Sequence, residues 1–177
     1  MEQGNLPTQR VNISTQKMLG GIGYILVLLP IPFLSIAGYI LVLISMYQLS
    51  NILRKPAIFQ KALIGTILAL ADILIALALL IAIMGKERDA AVGIGDIVAI
   101  IVEYVVFSVA FYFYKEAYKI LAQATAHDLF RIGGLLLFIG ANTIVLFGLG
   151  ILLIIVGEII LAVAFFTAPK EVEVQGA

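Results

Sequence analysis

Apolar residues fall into four long blocks, and the breaks between them predict the helices. Met1 to Lys17 is polar, and an uncharged run then extends from Met18 to Leu53. As one straight helix that run would reach roughly 54 Å, far beyond a hydrocarbon core of ~30 Å. Leu29-Pro30-Ile31-Pro32 lies inside it. Two prolines so spaced stop or sharply bend a helix, because each lacks an N–H and its ring clashes with the preceding turn. The run is therefore one kinked span or a tight hairpin of two short spans. Ser35-Ile36-Ala37 has the small-x-small form of a signal-peptide cleavage site, but apolar sequence resumes at once, which argues against processing there. A second block runs from Ala62 to Gly85 and ends at Lys86-Glu87-Arg88-Asp89. The third begins near Ala91, stays apolar and aromatic to Tyr114, and continues as a more polar helix to about Ala122. After a polar link, Gln123 to Leu129, the last block runs from Ile132 to Gly157 and, past Glu158, to Ala168. Gly140-Ala141-Asn142-Thr143 is the expected break within it. Segments 1–17 and 169–177 read as polar ends around one transmembrane domain, 18–168.

Composition names the solvent. The 177 residues are 63% apolar and 12% charged, where a soluble domain carries about 45–50% and ~25%. A chain this small has too much surface per volume to hide that excess from water. A soluble globule, a disordered chain and a disulfide-stapled module are excluded. Eleven basic residues balance eleven acidic ones, so no basic surplus binds nucleic acid by counterion release. The absence of cysteine excludes thiol chemistry, cysteine zinc sites and iron–sulfur clusters.

Charge placement then sets the topology. If the first and last blocks are single kinked spans, basic residues divide five against six between the two sides. If both are hairpins, nine collect on one side, and only Lys86 and Arg88 lie opposite. The positive-inside rule favours the second arrangement. The expected fold is an all-α membrane protein, a bundle of six short transmembrane helices arranged as three hairpins with both termini cytoplasmic. The helices before Pro30 and Asn142 are short for a span, so a re-entrant pair with its backbone covered by protein is the alternative. An internal repeat aligns Gly20-Gly21 with Gly133-Gly134 and, after a one-residue slip, Gly38 with Gly150. Both copies would enter from one side, unlike the inverted repeats of many transporters.

Candidate chemistry lies in the acids of the apolar blocks. Asp72, Glu103 and Glu158 are expected near the midplane, and Asp96 nearer the far end of its helix. No Lys, Arg or His occupies a block centre to neutralise them. An acid at a helix centre costs ~2.5–3.5 kcal/mol on insertion scales, so such carboxyls are protonated, cation-bound or open to water. Gly65, Ala69 and Ala76 share a helix face with Asp72, while Gly150, Gly157 and Ala164 repeat every seven residues beside Glu158. Small residues let helices approach closely. Asp96 and Glu103 share a face, flanked by an aromatic ridge of Tyr104, Phe107, Phe111, Tyr114 and Tyr118. The acids are therefore a proton or cation pathway, or neutral groups hydrogen-bonding between helices.

Other motifs carry less. Gly93-Ile94-Gly95-Asp96 and Gly20-Gly21-Ile22-Gly23 lack the spacing and strand–helix context of a dinucleotide loop. His127 stands alone in a polar link and reads as an interface residue rather than a metal ligand. One histidine with membrane-buried acids builds no hydrolytic triad. Lys115, Glu116 and Lys119 form a charged helix end suited to solvent or lipid phosphates.

Lys17-Met18-Leu19-Gly20-Gly21-Ile22-Gly23, the Pro30-Ile31-Pro32-Phe33 break, Gly38-Tyr39-Ile40-Leu41 leading to Tyr47-Gln48-Leu49-Ser50, and Arg131-Ile132-Gly133-Gly134 resemble an archaeal membrane family, domain-of-unknown-function family nine-nine-six. The resemblance implies an archaeal source and a polytopic membrane protein, and supplies no activity or site residues. The sequence is thus expected to encode a non-enzymatic membrane protein without cofactor or metal. Its expected role is an accessory or assembly subunit whose small-residue faces meet other membrane subunits or a second copy within the lipid bilayer. A small proton- or cation-coupled transporter or channel is the alternative.

Overall fold

A computed structural model describes residues 8–85, 93–144 and 148–175. The charged link Lys86 to Asp89 lies outside the described residues. Among those described, six helices follow one another: α1 Ser14–Leu28, α2 Pro32–Ile52, α3 Pro56–Met84, α4 Ile94–Thr125, α5 Leu129–Thr143 and α6 Leu149–Thr167. Four of them, α2, α3, α4 and α6, are long and apolar enough to cross a membrane. α5 is a shorter apolar helix, and α1 has 15 residues.

Local chemistry accounts for the helix ends. The Asn12 carboxamide accepts the Ser14 N–H at 2.8 Å, and α1 stops before Pro30. Pro32 and Pro56 occupy the first turns of α2 and α3, where an N–H has no intrahelical partner to lose. Gly148 precedes α6 with φ +77°, a conformation that glycine adopts without steric cost.

The boundaries differ from the expected ones in three places. α3 begins at Pro56 rather than Ala62, and α4 continues to Thr125. The break expected at Gly140–Thr143 is helical. Asn142 Nδ2 donates to the Phe138 carbonyl at 2.8 Å, while Oδ1 accepts from Ser108 of α4 at 2.7 Å. A polar side chain so partnered stays within a helix, and the turn begins only at Ile144. Within the polar ends, finally, residues 8–12 and 171–175 form strands. β1 Thr8–Asn12 and β2 Glu171–Gln175 pair antiparallel, with Arg10 opposite Glu173 and Val11 opposite Val172. Val172 is buried against the bundle, and Ile13 N–H donates to Lys170 O at 2.9 Å. The buried Lys17 Nζ donates to Ala168 O, just past the C-terminus of α6, where the helix dipole favours a cation. Both ends of the described chain therefore meet at one end of the bundle.

Each helix packs on its neighbours in sequence, and α6 returns to α1. Two pairs of consecutive helices approach through glycines. In α1–α2, a methyl built on Gly38 would lie 2.5 Å from Gly23 O. In α5–α6, one built on Gly150 would overlap Gly140 O. Seven residues further, Ser45 Oγ donates to Gln16 O at 2.7 Å, and a methyl on Gly157 would sit 3.1 Å from Gly133 O. The Gly38–Gly150 correspondence thus has a structural counterpart. The Gly20-Gly21 and Gly133-Gly134 pairs do not play matching parts: the first meets Phe165 and Phe166, the second Leu161 and Tyr118.

The core of Tyr24, Met46, Leu49, Ile58, Tyr118, Leu121, Phe130, Leu161 and Phe165 sits toward the strand-bearing end. At 1.5 Å per residue α3 and α4 extend ~44 and ~48 Å, against ~22 Å for α1 and α5. Asp72 is the last buried residue of α3, and Ala110 is the first of α4. Tyr104 and Ser108 of α4 still reach Asn142 of α5, so segments 73–84 and 94–102 project beyond the six-helix core as a two-helix arm.

Candidate functional site

Ile58, Ala62, Gly65 and Asp72 are the buried seam of α3, and α4 covers it. A methyl on Gly65 would lie 3.0 Å from Ala110 O, so the backbones run close together there. One heptad on, Asp72 is 5% exposed. Its Oδ1 is buried without a hydrogen-bond partner, a condition that costs about 1–3 kcal/mol. Across the interface Glu103, half-buried on α4, lies near enough for the two charges to interact. The Tyr104 hydroxyl donates to Asn142 O at 2.8 Å, which sets this level beside the end of α5. The Asp72–Glu103 pair thus marks the point where the core gives way to the arm.

Asp96 stands apart from that pair. It lies two turns nearer the start of α4, and its Oδ2 accepts the Gly93 N–H at 2.8 Å. A carboxylate in the first turn satisfies an unpaired donor and complements the helix dipole.

Glu158 belongs to a second site. It sits midway along α6, 9% exposed, and accepts the Tyr39 hydroxyl of α2 at 3.1 Å. Nearby the Tyr24 and Tyr118 hydroxyls hydrogen-bond each other across α1 and α4. The Tyr118 ring stacks on Phe130 at 6.4 Å, and Phe130 meets Phe165 edge-on at 4.9 Å. Tyr114 and Thr66 share a 2.8 Å hydrogen bond between α4 and α3. Helices α1, α2, α4 and α6 thus contribute four phenols and one carboxyl to this region. Glu158 stands out in the sequence as an acid in an apolar block, but of the four phenols only Tyr114 and Tyr118 do, as part of the aromatic ridge. The sign that points to Tyr24 and Tyr39 is a hydroxyl inside an apolar run, because a buried phenol O–H requires a partner.

The small residues face inward. Gly65 lies against α4, Gly150 and Gly157 against α5, and Ala164 is fully buried. The chain's own helices cover these faces, expected from the sequence to meet other subunits. In the C-terminal half of α4 Lys115 sits 4.6 Å over the Tyr112 ring and 4.9 Å over Phe138. Glu116 pairs with Lys115 at 3.5 Å and with Lys119 at 3.6 Å. His127 Nε2 and Thr167 Oγ1 are 3.0 Å apart. Among the described residues no three His, Cys, Asp or Glu side chains converge as a metal site.

Residues 34–159 match the family described as "Protein of unknown function (DUF996)". The chain is also 30% identical over 173 residues to the uncharacterized protein MJ1644 of Methanocaldococcus jannaschii, covering 93% of this chain and 97% of that one. No solved structure matches it.

Proposed function

We propose that this chain, which belongs to the DUF996 family of proteins of unknown function, is a non-catalytic membrane protein serving as an accessory or assembly subunit. Its six helices form three hairpins inserted from the cytoplasmic side, with both termini cytoplasmic. The β1–β2 pairing and the nine basic residues on the same side as the termini support that orientation.

The observation that carries the functional reading is the Asp72 carboxyl. Its Oδ1 is buried without a partner, beside Glu103, at the root of an arm whose described residues are largely open. An acid within hydrocarbon is stabilised by a cationic or hydrogen-bond-donating partner. The chain has no Lys, Arg or His at the centre of any apolar block, so a second copy supplies no such cation. Asp72 Oδ1 itself is enclosed between α3 and α4, so the group within a partner's reach is the half-buried Glu103 beside it. The fitting partner is a transmembrane helix of another protein with a Lys, Arg or amide donor at mid-membrane depth, lying along the open face of α4. Purification from native membranes in mild detergent tests this. The parent is expected to migrate with a larger complex, and the Asp72→Asn/Glu103→Gln variant to migrate alone. Co-migration of the variant at full yield contradicts the reading. A small homo-oligomer that passes protons or cations in vesicles, with flux lost in Glu158→Gln, replaces it with the transport alternative.

A further inference from the structure

We infer that the α1–α2 turn and the facing ends of α5 and α6 lie inside the hydrocarbon of the far leaflet, packed against lipid acyl chains, and that only the α3–α4 pair reaches water on that side. The inference rests on the membrane reading above and is independent of any partner. It makes the four outer helices re-entrant rather than fully crossing.

The links differ in chemistry. Segment 85–93 contains Lys86, Glu87, Arg88 and Asp89. On the strand-bearing side, 53–55 contains Arg54 and Lys55, and 126–128 contains His127 and Asp128. The other two links read Leu-Pro-Ile over 29–31 and Ile-Val-Leu-Phe-Gly over 144–148, without a charge or a polar side chain. Around them Phe33 is 84% exposed and Leu149 59%, both apolar surfaces suited to acyl chains.

Lengths agree with chemistry. From Lys61 to Met84, α3 descends ~35 Å, whereas Lys17 to Leu28 covers ~17 Å and Arg131 to Thr143 ~18 Å, against a hydrocarbon core of ~30 Å. The greater length of α2 and α6 lies at the opposite end. Ser45 stands beside Gln16, so the last turns of α2 run past the start of α1. Likewise Gly133 of α5 meets Leu161, and α6 continues to Thr167 beside His127.

The first turn is also built for a site without water, where backbone polar groups must be satisfied internally. Pro30 and Pro32 contribute no N–H. Ile31 N–H donates to Leu29 O at 2.7 Å. Ser35 Oγ lies 3.0 Å from Leu29 O and 3.3 Å from both Val27 O and Ile31 O, so its one O–H donates within the tip, with Leu29 O the nearest acceptor.

The cysteine-free chain makes the test direct. Ile31→Cys, Leu149→Cys and, as a water-side reference, Arg88→Cys are reconstituted into sealed vesicles and treated with a membrane-impermeant maleimide from each side. Positions 31 and 149 are expected to react at least about tenfold more slowly than position 88 from either side, because they lie within the hydrocarbon. A fluorophore attached there in detergent before reconstitution is expected to be quenched by mid-chain brominated lipid rather than by aqueous iodide. Phe33→Cys replaces Ile31→Cys where the latter does not elute as the parent does. Reaction of 31, 33 or 149 from the far side at the rate of position 88 overturns the inference and restores full crossing. Because these readouts report depth alone, their outcome is separate from that of the co-purification experiment.

Discussion

Gly150→Leu is expected to lower the thermal unfolding midpoint of the purified protein in detergent by about 5–10 °C, the effect of roughly 2–3 kcal/mol of overpacking in a chain of this size. The Cβ it introduces would overlap Gly140 O and the Ile144 backbone. Backbone atoms, unlike the far end of a side chain, yield only if the helices separate. Separation would also pull Gly157 from Gly133 and strip α6 from its neighbour along the whole seam. Gly95→Ala is the control. Nothing lies within 4 Å of a methyl there, so the midpoint is expected to hold or rise. A parent-like midpoint for Gly150→Leu would show that α5 and α6 do not meet through their glycines.

Asp72→Ala is expected to move the midpoint the other way, up by about 3–8 °C, because it removes a buried unpaired oxygen whose cost is about 1–3 kcal/mol. An acid that holds helices together behaves oppositely, since its removal leaves the groups that bonded it stranded. Stabilisation combined with loss of the partner complex is the pattern of a site kept for function at the expense of stability. A fall in the midpoint would instead place Asp72 among the fold's structural hydrogen bonds.

The long apolar helices were legible in the sequence because they depend on composition and spacing along one chain. The turn at Pro30 was legible for the same reason: proline acts locally on the backbone. Asn142 misled because its amide is satisfied by Phe138 and by Ser108, the latter on a helix whose proximity no local rule reports. The terminal strands escaped notice although Glu171-Val172-Glu173-Val174 alternates strictly, since their pairing joins opposite ends of the chain. Small residues at Gly65 and Gly150 announced close helix contacts but not whose helix makes them; both contacts are internal. The acids were found individually, yet their division into Asp72–Glu103, Tyr39–Glu158 and the Asp96 cap depends on which helices are neighbours.

Whether the Asp72–Glu103 pair recruits a partner helix is decided by a photo-cross-linking amino acid at Leu77, on the open arm one helical turn beyond Ile73 and 52% exposed. Irradiation of native membranes is expected to yield one discrete adduct, and sequencing to identify a membrane protein with a basic or amide side chain within its spanning segment. The adduct is expected to vanish in Asp72→Asn/Glu103→Gln at equal expression. An adduct of unchanged yield in that variant, or lipid adducts alone in the parent, would refute recruitment by this pair.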